Sequence, residues 1–248
     1  MGGIQSWMAA GTCKRMNWFQ KLWLKLTYRH PGVNRKRLSG DDHARAIELC
    51  RSKLSEGKKH KNASKHETLT LAQIAFGQKV VFENATALIR DAKWLRLKRS
   101  YARAFALAKL AQEELGKISL LDSVALIAFI GAKESEWGPF WKLWRDHRGK
   151  SFFVKLPFSP EVMTQERINY EEEAKLAALY VEIKDGGFSV PGQSISRAMV
   201  DEMLDICDVS VIHIKAKFKD VPLLNRDGSP GPGIEGLLTA FWEMAQVE

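Results

Sequence analysis

An all-α helical bundle with one small extended hairpin is the fold class this sequence predicts, and three observations predict it. Apolar residues recur at steps of three and four over two long stretches, 68–97 and 100–131. Only Lys98, Arg99 and Ser100 separate them, which suits an antiparallel helical hairpin or a kinked pair. The period changes at Leu179–Val190, where Asp185-Gly186-Gly187 supplies turn chemistry between two short extended runs. There is no Gly-rich phosphate loop, no dinucleotide fingerprint and no internal repeat.

The net charge of +9 is concentrated at one end. Residues 1–66 hold 15 Lys and Arg against 4 Asp and Glu, whereas residues 67–248 hold 23 against 25. The chain therefore reads as a basic N-terminal extension, 1–66, followed by a near-neutral helical domain, 67–248. Within the extension, residues 1–28 read as a basic amphipathic helix with Trp7, Met8, Trp18, Phe19, Leu22, Trp23 and Leu26 as its apolar members. Three readings stay open for it: docking on the protein's own body, residues added by an upstream start, or lying on a membrane surface. Lys14, Arg15, Lys21 and Lys25 interrupt it too often for a signal peptide. No run is long and apolar enough to span a bilayer. A breaker-rich segment, 30–40, precedes a short helix from Asp41 to Leu54, and 55–66 reads as a solvated basic linker with RNA contact as its alternative.

Further helices are expected in order. One covers 137–149, after Trp137-Gly138-Pro139. The next starts at Ser159, with Pro160 at its first turn, and runs to about Ala178. Another is capped by Ser196 and runs to about Lys217, and a last one spans Ile234–Val247 after the irregular 221–233 loop. Cys13, Cys50 and Cys207 form no CxxC pair, so they are expected to be reduced, in a cytoplasmic protein without a zinc site or cofactor.

Charges on the expected inner faces single out candidate residues. In the first long helix Val81, Asn84, Leu88, Asp91 and Leu95 share a stripe, which turns Asn84 and Asp91 inward. In the second, Leu107, Leu110, Ala111, Glu114, Lys117, Ile118 and Leu121 share one, with Glu114 at its middle. Glu113 lies on the flank, four residues before Lys117, a favourable pairing distance. Buried charges without partners cost several kcal/mol, so these groups are expected to be paired. A structural network and a functional site both satisfy that demand.

The run Asn84-Ala85, Leu88, Asp91-Ala92, Tyr101-Ala102-Arg103-Ala104 and Ala111-Gln112-Glu113-Glu114-Leu115-Gly116-Lys117 resembles the AbiV-type abortive-infection family of the HEPN superfamily. The resemblance continues at His147-Arg148-Gly149-Lys150 and at Leu179-Tyr180-Val181, Gly186-Gly187 and Pro191. It covers roughly residues 75–215 and leaves 1–66 outside. It implies a HEPN-like helical bundle, often a homodimer, in bacterial defence against phage, associated with blocked translation. A ribosome-associated target and a phage-protein activator are implied partners. Many HEPN proteins are metal-independent ribonucleases that use an Arg and a His separated by four to six residues. This chain departs from that pattern: Arg145 and His147 are two positions apart, and Lys142 stands where an Arg would be.

Cleavage of RNA without a metal needs a base for the 2′-hydroxyl, cations for the developing charge and an acid for the leaving oxygen. The expected catalytic set is His147 as base or acid, Lys150 and Lys117 as phosphate-facing cations, and Glu114 as the group that orients Lys117 or tunes His147. Asn84, Asp91 and Glu113 are expected to support them. Lys142, Arg145 and Arg148, interleaved with Trp141 and Trp144, are expected RNA contacts. Two other functions stay open: a non-catalytic module that blocks translation by binding a host or phage protein, and a helical toxin or regulator acting through its basic N-terminal region.

Overall fold

The computed structural model describes residues 40–56, 67–131, 137–155, 164–184, 186–220, 222–225 and 227–245. The expected N-terminal amphipathic helix and most of the expected linker lie outside the described residues. The fold is all-α. Nine helices are described: α1 Gly40–Glu56, α2 Leu71–Leu97, α3 Tyr101–Phe129, α4 Gly138–Arg145, α5 His147–Lys155, α6 Gln165–Leu179, α7 Pro191–Ser194, α8 Arg197–Asp220 and α9 Pro232–Ala245. One antiparallel hairpin, β1 Glu182–Lys184 with β2 Gly187–Ser189, falls where the period changes in the sequence. No described helix is long and apolar enough to cross a membrane.

Two compact units divide the chain. One takes the described residues within Met1–Ile74, Ser123–Pro139 and Val221–Glu248, and the other takes Ala75–Asp122 and Phe140–Asp220. In the first, α1 packs against α9, with Ala46, Ile234 and Leu238 in its core. There the Arg51 guanidinium donates to the Ile130 carbonyl at 2.6 Å, supplying a partner to a carbonyl at the end of a helix.

The second unit carries every candidate residue. α2 turns back into α3 through a Schellman closure, with Arg99 N–H bonded to the Arg96 carbonyl (3.0 Å) and Ser100 N–H to the Leu95 carbonyl (2.9 Å). Arg99 sits at φ +59, a left-handed position usually given to glycine, which is why no glycine marks this turn in the sequence. Gln78 Nε2 donates to Asp122 at 2.8 Å, fixing the antiparallel register of the two helices. α8 runs antiparallel to α2, tied by Lys93–Asp208 at 2.7 Å, by Arg96–Asp201 and by the Phe82–Phe218 edge contact. Ser196 caps α8 as expected, its hydroxyl accepting from Met199 N–H at 3.3 Å.

Two expectations are corrected here. Asn84 and Asp91 are exposed, so neither points inward. The buried face of α2 is Ile74, Gln78, Val81, Ala85, Ile89 and Ala92, with Ala85 and Ala92 completely buried. The helix expected over 137–149 is two helices broken at Asp146, whose carboxylate accepts from Arg148 N–H at 3.0 Å and so caps α5. The described helix ending at Leu179 starts at Gln165, with Thr164 extended and its hydroxyl accepting from Arg167 N–H at 3.2 Å. The expected start at Ser159 lies outside the described residues.

Candidate functional site

The site grows from α3, which is enclosed on nearly every side between Ala102 and Asp122. Its least buried stripe is Arg103, Leu107, Leu110, Glu114 and Lys117, and the other faces bury the polar residues they carry, among them Lys109, Gln112 and Glu113. Their partners come from α6, which runs parallel to α3 with a constant offset: Lys109 meets Glu171 at 2.8 Å and Glu113 meets Lys175 at 2.8 Å.

Two linked charge clusters result. In the first, Lys109 is completely buried. Its ammonium donates to Gln112 Oε1 (2.6 Å), Ser151 Oγ (2.9 Å) and Glu171 Oε2 (2.8 Å), which uses all three of its protons. Glu171 also accepts from Arg167 at 3.0 Å, and Arg167 reaches Glu202 at 2.6 Å. In the second cluster, Glu113 is buried with a side chain only 3% exposed. One of its oxygens takes Lys175 and the other lies 2.5 Å from His147 Nδ1. Lys175 is held on its other side by Glu172 at 2.7 Å. Burial pushes the Glu113 carboxyl up, but the hydrogen bonds from Lys175 and His147 outweigh it and hold the group below the usual carboxylate range. Burial pushes Lys175 down, and its bonds to Glu113 and Glu172 carry it above the usual lysine value.

His147 is the first residue of α5, next to its Asp146 cap, and its side chain is 54% exposed. An ionised carboxylate can only accept, so Nδ1 carries the proton shared with Glu113 and Nε2 keeps its lone pair in the neutral ring. α5 crosses α3 very closely at Gly116: a Cβ there would lie 2.0 Å from the Lys150 carbonyl oxygen. Glycine is therefore the residue that lets His147 and Lys150 approach Glu113. Lys150 is buried and makes no ion pair among the described residues. Burial holds its ammonium below the usual lysine value, with the nearby Lys117 and Lys175 adding to that effect against Glu113 and Glu114.

Glu114 and Lys117 pair with each other at 2.5 Å, both largely buried with 18% side-chain exposure. Lys117 also stands over the Trp144 ring, 5.1 Å from its centroid. Trp141 and Trp144 both pack on Phe140, at centroid distances of 4.8 and 5.5 Å. Lys142, Arg145 and Arg148 are exposed on α4 and α5, and the Arg145 guanidinium donates to the Trp141 carbonyl.

The structure thus brings together His147, Glu113, Glu114, Lys117 and Lys150 and leaves Asn84 and Asp91 apart from them. The roles of the two glutamates differ from the expectation: the deeply buried partner of His147 is Glu113, while Glu114 closes a local pair with Lys117. The expected Glu113–Lys117 pairing is replaced by Glu113–Lys175. Sequence reasoning missed Lys109, Gln112, Ser151, Glu171 and Lys175. The signal that could have found them is Glu171-x3-Lys175, a spacing that repeats the Lys109-x3-Glu113 spacing with the charges reversed. No group of three or more metal-ligating side chains occurs among the described residues.

Chemically, the arrangement is a half-exposed imidazole oriented by a buried carboxylate, beside a cation without an ion-pair partner among the described residues. Such a group can take or give a proton at Nε2 next to a site that attracts an anion. A model of the HEPN family described as AbiV matches residues 73–211, a span that includes α3, His147, Lys150 and Lys175. No curated protein and no solved structure matches the chain.

Proposed function

This chain belongs to the AbiV family of HEPN proteins, a family of abortive infection and antiphage defence, and we propose that it acts on RNA, cutting the phosphodiester backbone with His147 as general base. The observation that carries this reading is the 2.5 Å contact between His147 Nδ1 and the buried Glu113 carboxylate. Nε2 removes the 2′-hydroxyl proton, the 2′-oxygen forms its bond to phosphorus, and the bond from phosphorus to the 5′-oxygen breaks. Lys150 and Lys117 face the charge that develops on the phosphate oxygens. The Lys150 ammonium, made more acidic by burial, gives its proton to the leaving 5′-oxygen. The products are a 2′,3′-cyclic phosphate and a 5′-hydroxyl.

Incubation of the purified protein with total cellular RNA in EDTA tests this. Fragmentation by the wild type that is lost in His147→Ala and Glu113→Gln, with circular dichroism unchanged, is the expected result. A second reading, the non-catalytic module that blocks translation, is favoured by the two-residue spacing of Arg145 and His147, which departs from the HEPN nuclease pattern. Intact RNA together with stalled synthesis in a cell-free extract would select it.

A further inference from the structure

We infer that Lys175 is the positioning residue of this site, holding Glu113 so that the His147 ring keeps Nδ1–H on the carboxylate and presents Nε2 outward as the base. The inference rests on the reading of His147 as a base, and the geometry supports it from three sides. Glu113 divides its two oxygens between Lys175 (2.8 Å) and His147 (2.5 Å), so the carboxylate cannot turn without losing one of them. Lys175 is itself fixed by Glu172 at 2.7 Å, and its place on α6 follows from the same parallel register that seats Glu171 on Lys109. The match of offsets makes the Lys109–Glu171 pair an anchor one turn away from Lys175.

The chemistry explains why a second cation is needed. A buried carboxylate with no partner but an imidazole draws the proton onto that imidazole and holds it there as an ion pair. An imidazolium clamped in that way has no lone pair and cannot act as a base. A lysine on the far oxygen satisfies the carboxylate's charge, leaving the imidazole a hydrogen bond to receive it but no net charge to neutralise. The other charged groups that face this centre are Glu114 and Lys117 from α3, Lys150 from α5 and Glu172 from α6. Of these cations Lys117 is committed to Glu114, and Lys150, although it feels the Glu113 charge, makes no hydrogen bond or ion pair to it among the described residues, so Lys175 alone of the lysines holds a Glu113 oxygen.

Two-bond proton–nitrogen NMR of uniformly ¹⁵N-labelled full-length protein reads the tautomer and titration of His147 directly, with the His147→Ala spectrum as its assignment. The wild type is expected to show protonated Nδ1 and pyridine-like Nε2 in the neutral ring. Lys175→Met is expected to raise the titration midpoint by about one pH unit, a tenfold gain in proton affinity. Lys175→Arg is expected to restore the wild-type midpoint and tautomer. Should the methionine variant fail to fold by circular dichroism, Lys175→Gln keeps a donor to Glu113 while removing the charge, and it carries the same expectation. An unchanged midpoint and tautomer in the folded neutral variant overturns the assignment, whether or not the protein cuts RNA. The expected shift in a protein that leaves RNA intact keeps the Lys175 assignment and rejects the nuclease reading.

Discussion

Two regions of the second unit reverse the ordinary distribution of polar and apolar groups, in opposite directions. Along α3, charges are buried: Lys109, Glu113 and their partners Glu171 and Lys175 are almost fully removed from water. At the β hairpin, apolar groups are exposed: Ile183 and Phe188 sit opposite each other across the strands and are 75% and 74% exposed. Val181 and Val190 continue the same face by alternation and are exposed too. The charges of Lys109, Glu113, Glu171 and Lys175 are each paired with opposite charges from this chain, whereas the exposed apolar face is covered by nothing among the described residues. The first region is therefore a source of conformational specificity, because any shift of α5 or α6 strands a charge. The second is nearly free to change without effect on folding.

Four substitutions or conditions break or sharpen that contrast. The largest effect is expected at the fully buried pair. Lys109→Met leaves Glu171 short of a partner and is expected to lower stability by about 3–5 kcal/mol, read by urea denaturation. Adding Glu171→Met should recover much of the loss, and a double variant as unstable as the single one would show that packing, rather than charge, dominates there. Next comes Gly116→Ala. Its Cβ meets the Lys150 carbonyl at 2.0 Å, a clash with backbone that only a shift of α5 relieves. A loss of about 1–3 kcal/mol is expected, together with a changed His147 resonance in NMR.

The third is pH. Glu113 has a lowered folded value, so its contribution to stability is present above the ordinary carboxylate range and is lost as pH falls through that lowered value. Lys175 has a raised folded value, so its contribution is present below the ordinary lysine range and is lost as pH rises through the raised value. A melting temperature that is flat near neutrality and drops at both ends is expected, with the acid drop reduced in Glu113→Gln relative to its own neutral value. The smallest effect belongs to the hairpin: Phe188→Thr is expected to change stability by less than about 1 kcal/mol. A drop of several degrees in melting temperature would mean that this face is covered in solution.

Much of the fold was legible in the sequence. The breaks at Lys98–Ser100, the caps at Ser196 and the hairpin at 179–190 follow from local chemistry, and local chemistry is what a sequence displays. The α2 face was misread because Ala85 and Ala92 look neutral beside Leu88 and Leu95, yet the two alanines are completely buried and the two leucines are not. The Asp146 break was missed because one capping carboxylate inside a polar run carries no periodicity. At the site, Glu113, Glu114 and Lys117 were legible as charged residues on or beside an expected inner face, and His147 and Lys150 through the family resemblance. Their partners were not, because Glu171 and Lys175 lie 62 residues further along and reach α3 through the parallel register of two helices. The reversed charge spacing of Glu171 and Lys175 against Lys109 and Glu113 marks them as candidates, but local spacing does not say which two helices lie side by side.

The enclosure of α3 has a practical consequence. Between Ala102 and Phe129 the one exposed position is Arg103. A fluorophore, spin label or crosslinker meant to report on this helix belongs at that residue, and a tag at any of the buried positions along it would have to displace a neighbour to fit.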